Sequence, residues 1–193
     1  MHEESLILAL IERGWFTCDL FLDPTHCQKL LDEVKTLPLK AAKVGKGQSE
    51  QKAFEIRNDS IYWLNKNQSS AQDQYLAKID ELMHILNREL YLGLKQFEGH
   101  FARYDQFGFY KKHLDQFTGN NERLISIVTY LNTPKKGGEL RIYKKDRPDE
   151  VETDITPKAG SLVCFLSHHI YHEVRPTEDE RYSVTGWLRT NIP

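Results

Sequence analysis

The sequence predicts an α+β fold in which a jelly-roll core of short strands carries N-terminal helices packed on one sheet. Three observations lead there. Apolar residues recur at helical spacing only before Gly99. Eight short extended runs follow Gly99, and turn residues separate most of them. Eight strands at such spacing indicate a sandwich or barrel, and jelly rolls use eight. Helices first and strands later place the helices together on one side of a sheet.

In chain order, Leu6, Ile7, Leu10 and Ile11 form a helical stripe over Ser5 to Arg13, closed by Gly14. Trp15 to Leu22 is short, apolar and aromatic, and reads as a strand. Asp23-Pro24 places an N-cap before a proline at the first helical position. The helix that follows buries Cys27, Leu30, Leu31 and Val34 and stops before Pro38. Val44 to Arg57 is polar and glycine-bearing with no sustained period, which predicts a loop. Ile56 to Leu64 returns to extended character. Ser70-x-x-Asp73 resembles a capping box opening a long helix with Tyr75, Ile79, Leu82, Met83, Leu86 and Leu90 on one side. His84 on that helix reads as a surface histidine.

The eight runs are His100–Tyr104, Phe109–Leu114, Leu124–Leu131, Glu139–Tyr143, Val151–Ile155, Ser161–Phe165, Tyr171–Val174 and Tyr182–Leu188. Gly119-Asn120-Asn121, Pro134 to Gly138, Asp146 to Asp149, Pro157 to Gly160 and Pro176 to Asp179 supply turns between them. With no repeat or linker, residues 1–193 read as a single domain: a helical and mixed part over about 1–97 and a jelly-roll core over about 98–193.

Composition narrows the function classes. The apolar runs, such as Leu6 to Ile11 and Ser161 to Leu166, fall far short of a membrane span. The start, Met1-His2-Glu3-Glu4, lacks the basic and apolar parts of a signal peptide, so the expected location is the cytoplasm. Lysine and arginine total 26 against 28 aspartate and glutamate, a formal charge of −2 that advertises no nucleic-acid partner. Cys18, Cys27 and Cys164 contain no C-x-x-C pair, so neither a disulfide framework nor a zinc ribbon is indicated.

The chemistry-bearing stretch is Tyr110-Lys111-Lys112-His113-Leu114-Asp115. His113 and Asp115 are two apart in an extended run, so alternation puts both side chains on one face and Lys112 on the other. A histidine and a carboxylate so placed supply two of the three protein ligands of a facial metal site. Downstream, His168 and His169 lie between two strands, where a surface loop is expected. His172 opens a strand and is the candidate third ligand. Two histidines and a carboxylate leave positions open for non-haem Fe(II) chemistry, whereas structural zinc closes with a fourth protein ligand. Arg181, nine residues after His172, offers a guanidinium fork suited to one carboxylate of a dicarboxylate, and Tyr130 could add a hydroxyl to it. The other reading of Arg181, beside Glu178, Asp179 and Glu180, is a surface ion pair.

The whole pattern resembles a known family. His113-x-Asp115, His172 and Arg181 match Fe(II)- and 2-oxoglutarate-dependent dioxygenases. Further segments are similar to the prolyl-hydroxylase-domain group, which includes the animal hypoxia-sensing prolyl hydroxylases and their bacterial relatives. These are Ile56-Arg57-Asn58-Asp59, Tyr104 through Asp115, Tyr130-Leu131-Asn132, Gly137 through Tyr143, His172 through Pro176, Arg181-Tyr182-Ser183 and Trp187. The stretch from Tyr104 to His113 is one residue shorter than the group's pattern.

The resemblance implies a double-stranded β-helix and a peptidyl-prolyl hydroxylase consuming 2-oxoglutarate and O2 and releasing succinate and carbon dioxide, with ascorbate as an accessory reductant. It implies Fe(II) on His113, Asp115 and His172, and 2-oxoglutarate held by Arg181 and Tyr130 with Tyr104 nearby. Arg57, Asp59 and Trp187 match positions at the substrate edge, although Arg57 and Asp59 also read as a structural ion pair and Trp187 as core. The loop from Val44 to Arg57 matches one that folds over a bound peptide. The implied partner is a protein carrying a target proline, elongation factor Tu being the leading candidate, acted on by a monomer. Alternatives are the same chemistry on another protein side chain or a small molecule, and a non-catalytic jelly-roll binding module.

Overall fold

The computed structural model describes residues 2–42, 55–116 and 122–191. Residues 43–54 of the expected loop and the Gly119-Asn120-Asn121 turn lie outside the described residues.

Among the described residues, three helices, α1 (Glu3–Glu12), α2 (Pro24–Thr36) and α3 (Ser70–Leu90), interleave with β1 (Trp15–Cys18), β2 (Lys40–Ala41) and β3 (Ser60–Trp63). The strand expected over Trp15 to Leu22 is shorter, because a turn at Asp19–Leu20 leads the chain to the α2 cap. Asp23 caps α2 as its sequence predicts, its side chain accepting the His26 N–H at 2.9 Å.

The cap of α3 is displaced by one residue from the expectation. Ser69, in an extended conformation (φ −155°, ψ 156°), accepts the Gln72 N–H, and Ser70 is the first helical residue. Asp73 is therefore not its box partner and instead accepts from the Asn67 N–H. The predicted stripe Tyr75, Ile79, Leu82, Met83 and Leu86 is buried, while His84 is exposed. Leu31 of α2 and Leu90 of α3 are only half-buried.

From Gln96 the eight expected strands follow: β4 (Gln96–Tyr104), β5 (Tyr110–His113), β6 (Arg123–Tyr130), β7 (Leu140–Tyr143), β8 (Val151–Ile155), β9 (Leu162–Leu166), β10 (His172–Val174) and β11 (Arg181–Arg189). They build two sheets, one ordered β1-β9-β6-β11-β4-β3-β2 and one ordered β5-β10-β7-β8, with antiparallel pairing in each. This is the jelly roll, with β1, β2 and β3 extending the larger sheet.

Strand alternation gives the larger sheet two different faces. Phe101 of β4, Ile125 and Ile127 of β6, Leu162 and Cys164 of β9, and Tyr182, Val184 and Leu188 of β11 join the helical stripes in one closed apolar core. Their neighbours Ala102, Tyr104, Val128, Tyr130, Val163 and Phe165 face the smaller sheet and pack with Leu140, Ile142 and Val174. At Gly186 the backbones come too close for a side chain: a Cβ would stand 2.4 Å from the Glu98 carbonyl oxygen.

Candidate active site

Between the sheets lies a cavity of about 310 Å³. The sequence-derived residues Arg57, Asp59, Tyr104, His113, Asp115, His172, Arg181 and Trp187 all line it.

One wall comes from the smaller sheet. The β5–β10 register sets His113 opposite His172. Strand β5 ends at His113, yet Asp115 keeps the same direction, and one ligand atom from each of His113, Asp115 and His172 falls within 4.8 Å of the others. His113 Nδ1 lies 2.7 Å from the Lys111 carbonyl and His172 Nδ1 lies 3.1 Å from the Ile170 carbonyl. A carbonyl can only accept, so each Nδ1 carries the proton and each Nε2 is left with its lone pair. Those Nε2 atoms stand 3.4 and 3.6 Å from the Asp115 carboxylate. Tyr110 stacks on His113 and Phe165 packs against His172, which fixes both rings.

The electrostatics suit a metal. Burial and the neighbouring His113 push His172 down to about 4, so its ring is neutral at neutral pH. Burial alone would raise the Asp115 carboxyl, but attraction to the His172 and His113 rings whenever they carry a second proton, together with the Ser126 hydroxyl, holds it well below the usual carboxylate range. A neutral imidazole and an ionised carboxylate are the forms that bind a metal. Ser126 Oγ donates to Asp115 Oδ2 at 2.6 Å and is itself 2.8 Å from Ser167 Oγ. Sequence reading passed over this pair. Its signal was a serine set among Leu124, Ile125, Ile127 and Val128 of β6.

The opposite wall is the inward face of the larger sheet. Arg181, only 1% exposed, opens β11 opposite Tyr104 of β4. Its guanidinium carbon stands 4.9 Å from both the Tyr104 and Tyr130 ring centroids. No salt bridge reaches Arg181 among the described residues, its Nε has no hydrogen-bond partner there, and the Tyr130 hydroxyl meets nothing but the Arg181 guanidinium, outside good hydrogen-bond geometry. The surface ion-pair reading of Arg181 is thus excluded: Glu178 pairs with Lys136, and the Asp179 side chain accepts the Lys135 N–H. Burial pushes Tyr104 and Tyr130 upward, so both keep their protons as donors. Gly138, at φ +73°, lets the turn before β7 close on this corner, since a Cβ would lie 3.0 Å from Arg181 Cδ.

The rim holds the remaining candidates. Arg57 and Asp59 form a two-pronged ion pair, Nε to Oδ1 at 2.6 Å and Nη2 to Oδ2 at 2.5 Å, and Arg57 lies over the Tyr110 ring. Burial alone would lower the Arg57 guanidinium; the Asp59 carboxylate outweighs it and holds the proton. The ion pair and the rim position therefore coexist. Trp187 is buried with its Nε1 unpartnered, and the Arg123 guanidinium covers its ring at 3.5 Å. His168 and His169 are exposed, away from the cluster, as their loop position predicts.

With this geometry in view, residues 99–189 match the model of the 2OG-Fe(II) oxygenase superfamily. The crystal structure of a Pseudomonas putida prolyl-4-hydroxylase is 37% identical and superposes with a TM-score of 0.87, covering 99% of this chain and 100% of that one. The chain belongs to the prolyl hydroxylase family of 2OG-Fe(II) oxygenases. Human Egl nine homolog 1 is 28% identical over 95% of this chain, which spans 46% of that relative, about half its length. A Trichoplax adhaerens prolyl hydroxylase, solved with a hypoxia inducible factor peptide fragment, shares the fold at a TM-score of 0.82 and 23% identity, covering 97% of this chain and 89% of that one.

The residues present fit the family's reagents. Two imidazole Nε2 atoms and one carboxylate converge from one side, as a facial Fe(II) site requires. A buried guanidinium in the same cavity, without an ion pair among the described residues, fits the far carboxylate of a 2-oxo diacid.

Proposed function

We propose that this chain is a peptidyl-prolyl hydroxylase dependent on Fe(II), 2-oxoglutarate and O2, working as one catalytic domain. The observation that carries the reading is the pairing, in a single cavity, of the His113–Asp115–His172 cluster with an Arg181 that has no counter-charge among the described residues. Such an arginine is costly to bury unless a ligand anion completes it.

His113, Asp115 and His172 would hold the Fe(II), and Arg181 with Tyr130 would receive the distal carboxylate of 2-oxoglutarate, Tyr104 forming the adjoining wall. When bound, metal and cosubstrate supply the oxidising power, with succinate and carbon dioxide as co-products. The chain positions and protects. Ser126 orients Asp115, the Lys111 and Ile170 carbonyls fix the histidine tautomers, and Arg57, Asp59 and Trp187 border the substrate's entrance.

A prolyl side chain in a protein is favoured over a small molecule by the likeness to prolyl hydroxylases, one of them solved with a peptide. A prolyl residue of elongation factor Tu is the specific candidate, acted on in the cytoplasm by a monomer. Among the described residues no helix is long and apolar enough to cross a membrane. The test is incubation with Fe(II), 2-oxoglutarate, ascorbate and proline-containing peptides, including ones from elongation factor Tu, read by mass spectrometry. The expected result is one added oxygen on proline, matched mole for mole by succinate. Succinate release without any oxygen on peptide would contradict the prolyl reading.

A further inference from the structure

Arg181 is not alone on the inward face in holding a buried polar atom that finds no hydrogen bond among the described residues. Thr185 of β11 lies four residues beyond Arg181 and pairs with His100 of β4, roughly 13 Å along the strands. The His100 ring lines the cavity, is 2% exposed and makes no hydrogen bond through either nitrogen among the described residues. It stands between two indoles, 5.0 Å from Trp63 and 5.6 Å from Trp187, and the Trp187 N–H is unpartnered too. Burial, reinforced by Arg57, pushes His100 down to about 4, so at neutral pH the ring offers one N–H donor and one bare nitrogen acceptor.

Three unsatisfied polar atoms in an aromatic pocket destabilise the free protein. Strand alternation would accept an apolar side chain at 100, as it does at Ala102 on the same face. We infer that His100 and the Trp187 N–H bind a backbone peptide group of the substrate, making them the specificity determinants that select peptide over free small molecule. A peptide group presents a carbonyl acceptor and an N–H donor together, which complements two donors and one acceptor. The bond preceding a proline has no N–H. The group engaged is therefore the one on the carboxyl side of the target proline. This inference rests on the prolyl-peptide reading above.

The test compares a proline peptide with its ester analogue, in which the N–H following proline is replaced by oxygen. In the wild-type protein the ester should raise KM about tenfold, the loss of one hydrogen bond. His100→Leu should raise KM for the amide peptide by a similar factor, lose the amide-over-ester preference and leave KM for 2-oxoglutarate unchanged. His100→Gln, which keeps a donor and an acceptor, should restore part of the preference. A merely structural histidine would alter thermal stability but not the amide-to-ester ratio. Independently of any variant, 15N NMR of wild-type protein loaded with Zn(II) and 2-oxoglutarate should show both His100 ring nitrogens shifting on peptide addition. If wild-type protein hydroxylates peptide but shows no amide preference, or no shift at His100, this inference fails alone. If wild-type protein neither binds nor hydroxylates peptide, the functional reading fails with it.

Discussion

The two faces of the larger sheet are made by the same strands and differ by one residue of phase. On the helix side, alternate residues of β4, β6, β9 and β11 close against α1, α2 and α3 in a continuous apolar core. There the Tyr75 hydroxyl meets Thr129 Oγ1 at 3.0 Å, and Arg103 Nε is the buried polar atom on that phase without a hydrogen bond among the described residues. On the cavity side, the intervening residues leave Arg181, His100 and Trp187 with buried polar atoms that find no hydrogen bond among the described residues. Unsatisfied groups are normally selected against in a core. Their concentration on one face marks that face as built for ligands and the other as built for stability.

Mutations can break this contrast. The largest effect is expected from Asp115→Ala, which removes one of three converging ligand atoms: iron-dependent succinate formation should fall to background while circular dichroism stays native. Leu82→Ala on the closed face should instead cost about 2–5 kcal/mol in urea unfolding and leave KM for 2-oxoglutarate unaltered in the folded fraction.

A pH titration sharpens the contrast further. His100 and His172 each fall from 6.5 to about 4 on the cavity side. Below pH 6.5 the unfolded chain takes up protons that the folded chain refuses, so stability of metal-free protein should decline as pH falls toward 4. The slope is up to about 1.4 kcal/mol per pH unit for each ring. His100→Leu should remove one ring's share; an unchanged slope would show that His100 is not buried neutral. The smallest effect is expected from Tyr130→Phe, which deletes one donor beside Arg181: affinity for 2-oxoglutarate should drop about three- to tenfold by calorimetry, with iron affinity retained.

What the sequence showed of this arrangement was whatever depends on local period. The helical stripes, the eight strands and the inward phase of His113 and Asp115 follow from spacings of three to four and of two, so they were readable. The choice of His172 over His168 and His169 rested on its strand position, and the exposed loop of the other two agrees. Contacts that depend on which strands become neighbours were not readable. Ser126 meets Asp115 only because the sheets stack, and His100 meets Trp187 only because β4 lies beside β11. The α3 cap moved to Ser69 because adjacent serines compete and backbone conformation, set by the approach to the helix, decides between them. Arg181 was ambiguous among three acidic neighbours until the register buried it.

The most direct test of the two-face account is calorimetric titration of 2-oxoglutarate into protein loaded with Mn(II) in place of Fe(II), without oxygen turnover. One site per chain is expected, lost without metal and weakened about 10- to 100-fold by Arg181→Ala. Equal binding in the metal-free protein, or in Arg181→Ala, would contradict it.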